Sequence, residues 1–129
     1  MADLNDKVNE ITNTKDTTAD YEKEDIEKNK VMGILAYLSI LVLVPLFAAK
    51  DSKFARFHTN QGFVLFICEV AVWIITAILG GIPILGIIIT IAGWLLNIAF
   101  LVLAIIGIVN VVNGKAKELP VIGKYTIIK

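Results

Sequence analysis

The chain is short of most groups that carry enzymatic chemistry. Its one cysteine, Cys68, lies inside an apolar run, so no intramolecular disulfide and no cysteine-based metal site is expected. Its one histidine, His58, has no second histidine or paired cysteine to share a metal. There is no glycine-rich phosphate loop followed by Lys-Ser/Thr, no credibly placed Ser/His/Asp set, and one carboxylate in the apolar runs. Neither catalysis nor a cofactor is expected. Charge is missing altogether from Ile84 to Val112. The first thirty residues are polar, without the short apolar core of a cleavable signal peptide, so the first membrane helix is expected to act as its own targeting signal.

What remains is oil and a charged head. Of 129 residues 57% are hydrophobic, above the 45–50% usual in soluble domains. Residues 1–30 carry nine acids against five lysines, a balance of −4, whereas the rest carries seven basic groups against Asp51, Glu69 and Glu118, a balance of +4. Residues 1–30 therefore read as an acidic, mostly disordered tail, in which Tyr21 to Lys30 (YEKEDIEKNK) extends the first membrane helix as a solvated stalk.

Three spans follow on length, at 31–49, 61–79 and 84–112. The first has nineteen residues, about 28 Å of helix against a hydrocarbon core of about 30 Å. Pro45 should kink it near its end. Between spans one and two, Asp51 or Ser52 is expected to cap a helix starting near Lys53. Gly80-Gly81-Ile82-Pro83 then makes a tight, uncharged hairpin turn. The run 84–112 would have to tilt or bend near Gly93 as one helix. Split in two, it would leave pieces of about 21 Å, too short to cross. Counting basic groups by side favours four spans instead, because that arrangement satisfies the positive-inside rule better. Residues 113–129 form a short basic tail.

Glu69 is the conspicuous residue. A carboxylate at mid-membrane costs about 2.5–3.5 kcal/mol on insertion scales, so it requires a partner, a proton or a hydrated cavity. Glu69 lies twelve residues before Gly81 and Asn97 sixteen after it, which places them within about 6 Å in depth across the hairpin. Thr90 is also in range. Gly86 and Gly93 fall on the same stripe as Thr90 and Asn97, where small residues let helices approach. At the headgroup level Lys53, Arg56, His58 and Gln61 interleave with Phe54 and Phe57, a mix expected of an interfacial turn beside a span rather than of a nucleic-acid surface.

The phrase KVMGILAYLSIL with a proline late in its span, followed by DSKFARFHTNQGFVLFI, resembles the chloroplast inner-envelope protein-import component family and its prokaryotic relatives of unassigned function. The matching residues are Lys53, Phe54, Arg56, Phe57, His58 and Gln61, then Gly114 and Leu119-Pro120-Val121-Ile122-Gly123-Lys124, within residues 28–129. The resemblance implies an integral membrane protein and, for plastid members, four spans in a protein-conducting complex. The acidic tail is no transit peptide, so a prokaryotic plasma membrane is expected.

The sequence thus describes an all-α, multi-pass membrane bundle whose partners are the lipid bilayer and a homo-oligomer or larger complex, with no small-molecule substrate. Its expected role is a non-catalytic scaffold or accessory subunit. The alternative is a translocation or permeation component with Glu69 facing a hydrated path, and a third reading is an assembling pilin-like or immunity-type membrane protein.

Overall fold

The computed structural model describes Asp6 and residues 14–127. Within residues 14–127 five α-helices follow one another: α1 (Lys23–Lys28), α2 (Lys30–Leu35), α3 (Leu43–Ala48), α4 (Lys53–Leu79) and α5 (Leu85–Val112), with 3-10 turns at Thr18–Asp20 and Ser39–Val42. Among the described residues there is no strand, only an isolated bridge between Asp16 and Lys117.

Among the described residues, helices α4 and α5 are the two long and apolar enough to cross a membrane. At 27 and 28 residues they run about 40 and 42 Å. The GGIP turn joins them, and α5 is continuous through Gly93. Their distal halves bury little. Trp73 is 74% exposed, Ile78 70% and Trp94 69%, so much of their apolar surface away from the contact between them faces outward, as suits hydrocarbon-embedded helices.

The expected first span, 31–49, is not one helix. After Leu35 the chain breaks, and Ser39 takes a left-handed backbone at φ +56°, which turns the chain before the 3-10 segment. Pro45 kinks nothing: it occupies the first turn of α3, where a missing N–H leaves no bond unmade. Three spans therefore reduce to two spanning-length helices and a broken apolar segment. That segment begins and ends at the same place. Asp25, just before it, bonds Ser52 and Phe54, just after it. Between these points Gly33 packs on Val111 and the Tyr37 ring lies across Gly107, so α2 runs antiparallel to the end of α5.

The buried core lies wholly at this end: Ile26, Tyr37, Val42, Phe54, Leu65, Val111, Ala116 and Leu119 form one cluster. Residues 1–5 and 7–13 of the tail expected as disordered lie outside the described residues. From Thr14 onward the chain is tied down, with the Thr17 amide bonded to Ala116 O at 2.9 Å and the Glu118 amide to Lys15 O at 2.9 Å. Its stretch 21–30 holds one short helix, α1, packed on α4, and ends as α2 begins, rather than extending a spanning helix.

Candidate functional site: a polar cap at the end of the hairpin

Ser52, rather than Asp51, caps α4, its Oγ accepting the Ala55 amide at 3.0 Å. The Ser52 hydroxyl in turn donates to Asp25 at 2.5 Å. The second Asp25 oxygen accepts the Phe54 amide at 2.9 Å, and Asn29 donates to the first at 2.8 Å. One carboxylate from α1 thus closes the positive end of α4, a favourable place for an anion. Desolvation works against the charge, but the bonds from Ser52, the Phe54 amide, Asn29 and the Lys53 amide together outweigh it, and Asp25 is held below the ordinary carboxylate range. Asp16 is lowered likewise, by the hydroxyl and amide of Thr18 first, then by Lys115 and Lys117 against a desolvation penalty.

One turn further along α4, His58 is completely buried. Its Nε2 lies 2.9 Å from the Lys115 carbonyl and its Nδ1 2.6 Å from the Tyr37 hydroxyl. A carbonyl only accepts, so Nε2 carries the proton, and Nδ1 of the neutral ring accepts from Tyr37. Phe54, Phe57 and Tyr37 pack edge-on around the ring at 4.8, 5.0 and 5.5 Å. Asn60 and Gln61 then act as an edge for the C-terminal segment to pair with. Gln61 donates to Gly123 O and accepts the Leu119 amide, both at 2.8 Å. Asn60 donates to Tyr125 O at 3.1 Å and accepts the Ile127 amide at 2.7 Å. Asn110, on α5, holds Lys117 O at 3.3 Å.

Of the four residues expected at the interface, Lys53 is exposed and Arg56 half-buried, whereas His58 and Gln61 are interior staples. The intramembrane trio separates. Glu69 and Asn97 line one cavity of about 470 Å³ beside Ser39 and Phe100. No hydrogen bond joins the two among the described residues. Thr90 instead donates to Gly86 O of its own helix at 2.8 Å. Gly86 and Gly93 are both buried against α4 and the turn: a Cβ would sit 2.2 Å from Gly80 O in the first and 2.8 Å from the Thr76 hydroxyl in the second. Among the described residues no group of three or more His, Cys, Asp or Glu side chains is placed to hold a metal ion.

The sequence reading missed Asp25, Tyr37, Asn60 and Asn110. Asp25 stands among five acids between Asp20 and Glu27, and nothing in its neighbours distinguishes it. Tyr37 carried a signal: a lone tyrosine in an aliphatic run needs a partner for its hydroxyl.

Comparison with known proteins places these features. The profile of the magnetosome magnetite crystal formation protein family matches residues 28–126. The magnetosome protein MmsF of Paramagnetospirillum magneticum is 33% identical over 99 residues, covering 74% of this chain and 82% of that one. A UPF0132 membrane protein of Methanocaldococcus jannaschii is 34% identical over 93 residues, or 70% of this chain, which spans 62% of that protein's length. MamF of Paramagnetospirillum magneticum is 29% identical over 102 residues. No solved structure matches. The relatives are named as membrane or magnetosome proteins of prokaryotes, not as enzymes. These matches correct the resemblance to the chloroplast import family. Its key phrase around His58 and Gln61 lies inside the matched region, so the pattern attributed to protein import falls within the magnetosome family's own match.

Proposed function

The chain belongs to the magnetosome magnetite crystal formation protein family, and from that membership we propose that it is a non-catalytic accessory protein that holds a rigid polar cap on one face of a prokaryotic membrane. One observation carries the reading. The cap's buried polar side chains are engaged in holding backbone: His58 on Lys115, Gln61 on Leu119 and Gly123, Asn60 on Tyr125 and Ile127. Among the described residues no buried side-chain nitrogen or oxygen lacks a partner. A catalytic or ligand-binding centre keeps polar groups unspent and aimed at a cavity, whereas here they staple three stretches of chain into a platform. The relatives are named as magnetosome or membrane proteins, and in such a membrane the platform would meet neighbours, including further copies of the chain.

The reading includes a topology. Charged residues other than Asp6 and Glu69, among those described, lie in 15–56 and 115–124, and both stretches meet at the cap. Two crossings, with residues 31–49 dipping in and returning to the same face, put all these lysines on one side, as the positive-inside rule asks. In this reading span length and charge count agree.

The test uses a Cys68→Ser background with single cysteines from Lys23→Cys, Lys50→Cys, Lys124→Cys and Ile82→Cys, labelled by an impermeant maleimide in sealed vesicles of each orientation. The first three are expected to react from one face and Ile82→Cys from the other. Lys23→Cys and Lys50→Cys reacting from opposite faces would mean that 31–49 crosses, and the proposed cap would not exist.

A second reading rests on the cavity of Glu69 and Asn97: a carboxylate and an amide in a mostly apolar pocket at membrane depth could mark a hydrated path. Rapid labelling of Cys68 by a water-soluble thiol reagent in native membranes would favour it, and complete protection would favour the platform.

A further inference from the structure

A second cavity, of about 590 Å³, opens beside the start of α4. Three cations line it: Lys53 and Arg56 from the first turns of α4, and Lys50 from the loop before it. Neither Lys50 nor Lys53 pairs with a carboxylate among the described residues; the Lys50 ammonium sits 5.8 Å from the Phe47 ring. Tyr21 and Phe57, packed edge-on at 5.9 Å, form an aromatic wall. The floor is Asn60 and Gln61, the last polar residues before α4 turns apolar at Gly62. From Gly62 to Leu79 is eighteen residues, about 27 Å, close to the hydrocarbon thickness. The floor therefore sits at the hydrocarbon boundary, and the walls rise through the headgroup layer.

We propose that this cavity binds the phosphodiester headgroup of an anionic membrane lipid, with Lys50, Lys53 and Arg56 around the phosphate. Asp20 and Glu118 also line the cavity, which leaves three positive charges against two negative. The surplus of one is neutralised by a monoanionic phosphodiester and overcompensated by a dianionic free phosphate. The two carboxylates accept hydrogen bonds, which suits a headgroup ending in hydroxyls, such as glycerol. Basic pockets at the polar ends of membrane helices recognise lipid headgroups by this combination of charge and depth. The proposal rests on the cap lying at the bilayer surface, which the maleimide labelling tests separately.

The experiment is native mass spectrometry of the full chain in detergent, titrated with dioleoyl phosphatidylglycerol, dioleoyl phosphatidylcholine or inorganic phosphate. One saturable phosphatidylglycerol adduct is expected, with phosphatidylcholine binding at least tenfold weaker. A lysine near an anionic lipid contributes about a fivefold change in affinity. The double variant Lys50→Gln/Lys53→Gln should therefore bind about 25-fold more weakly, with unchanged circular dichroism and melting. Lys115→Gln/Lys117→Gln removes two cations of the same cap outside the cavity and should change affinity less than threefold. Equal losses in both double variants, or equal binding of phosphatidylcholine, would overturn the site. Displacement of the lipid by an equimolar amount of inorganic phosphate would overturn the lipid assignment in favour of free phosphate.

Discussion

Gly62 is where the broken segment meets α4, and replacing it with alanine tests that contact directly. A Cβ there would stand 1.7 Å from Ala36 O and 2.5 Å from Ala36 C. Ordinary contact begins near 3.4 Å, so the two backbones must part by roughly 1.7 Å, and no flexible side chain can yield in their place. Overpacking of this kind costs about 1–3 kcal/mol. The movement also reaches Tyr37, the next residue, whose hydroxyl lies 2.6 Å from His58; a buried hydrogen bond lost there adds about 1–3 kcal/mol. Gly62→Ala should therefore destabilise the protein by about 4 kcal/mol. Unfolding in mixed micelles with increasing dodecyl sulfate, followed by circular dichroism, measures it. Gly81→Ala is the control, because its Cβ would meet nothing within 4 Å, and it should stay within about 0.5 kcal/mol of the wild type. If Gly62→Ala proved as stable as Gly81→Ala, α2 could not lie against α4, and the return of residues 31–49 to the cap would be wrong.

Other outcomes follow from the cap. His58→Phe fills the aromatic nest but leaves the Lys115 carbonyl and the Tyr37 hydroxyl unpaired; about 2–4 kcal/mol should be lost, read as melting temperature in detergent. Because Asp25 is lowered on folding, its contribution is present in full above the unfolded value near 3.8 and disappears as pH falls through the folded value. Asp25→Asn should therefore melt below the wild type at pH 6, with the gap closing toward pH 2; a gap independent of pH would contradict the charge-based cap. Glu69→Gln keeps the side chain's shape and breaks no ion pair in the structure, so stability should change by less than about 1 kcal/mol in the same dodecyl sulfate titration.

The two long helices were legible because apolar composition over eighteen or more residues is a local property, and the uncharged GGIP turn between them is local as well. The first apolar run deceived for the same reason. Val31 to Ala49 has the length and hydropathy of a span, but its path is set by Gly33 against Val111, Gly62 against Ala36 and Tyr37 against His58. Each of these contacts spans from 21 to 78 residues of sequence. The charge count disagreed with three spans but favoured four, and only two helices of spanning length stand among the described residues. At the cap, His58 and Gln61 stood out as polar residues beside a span, yet their burial did not, since the groups they satisfy lie 57 to 62 residues away. Residue type announced that these side chains need partners. It could not say that the partners were the backbone of the chain's own tail.

The gathering of charge at one end also bears on how the protein enters its membrane. In the two-crossing topology proposed above only the short uncharged stretch Gly80 to Ile84 reaches the far side, so no charged residue has to cross the bilayer completely, and Glu69 alone must enter it. A helical hairpin with such a tip can insert as a unit, its electrical work limited to seating Glu69. The tail that closes over His58 and Gln61 is synthesised after the hairpin, so the platform can close only once both long helices have been made.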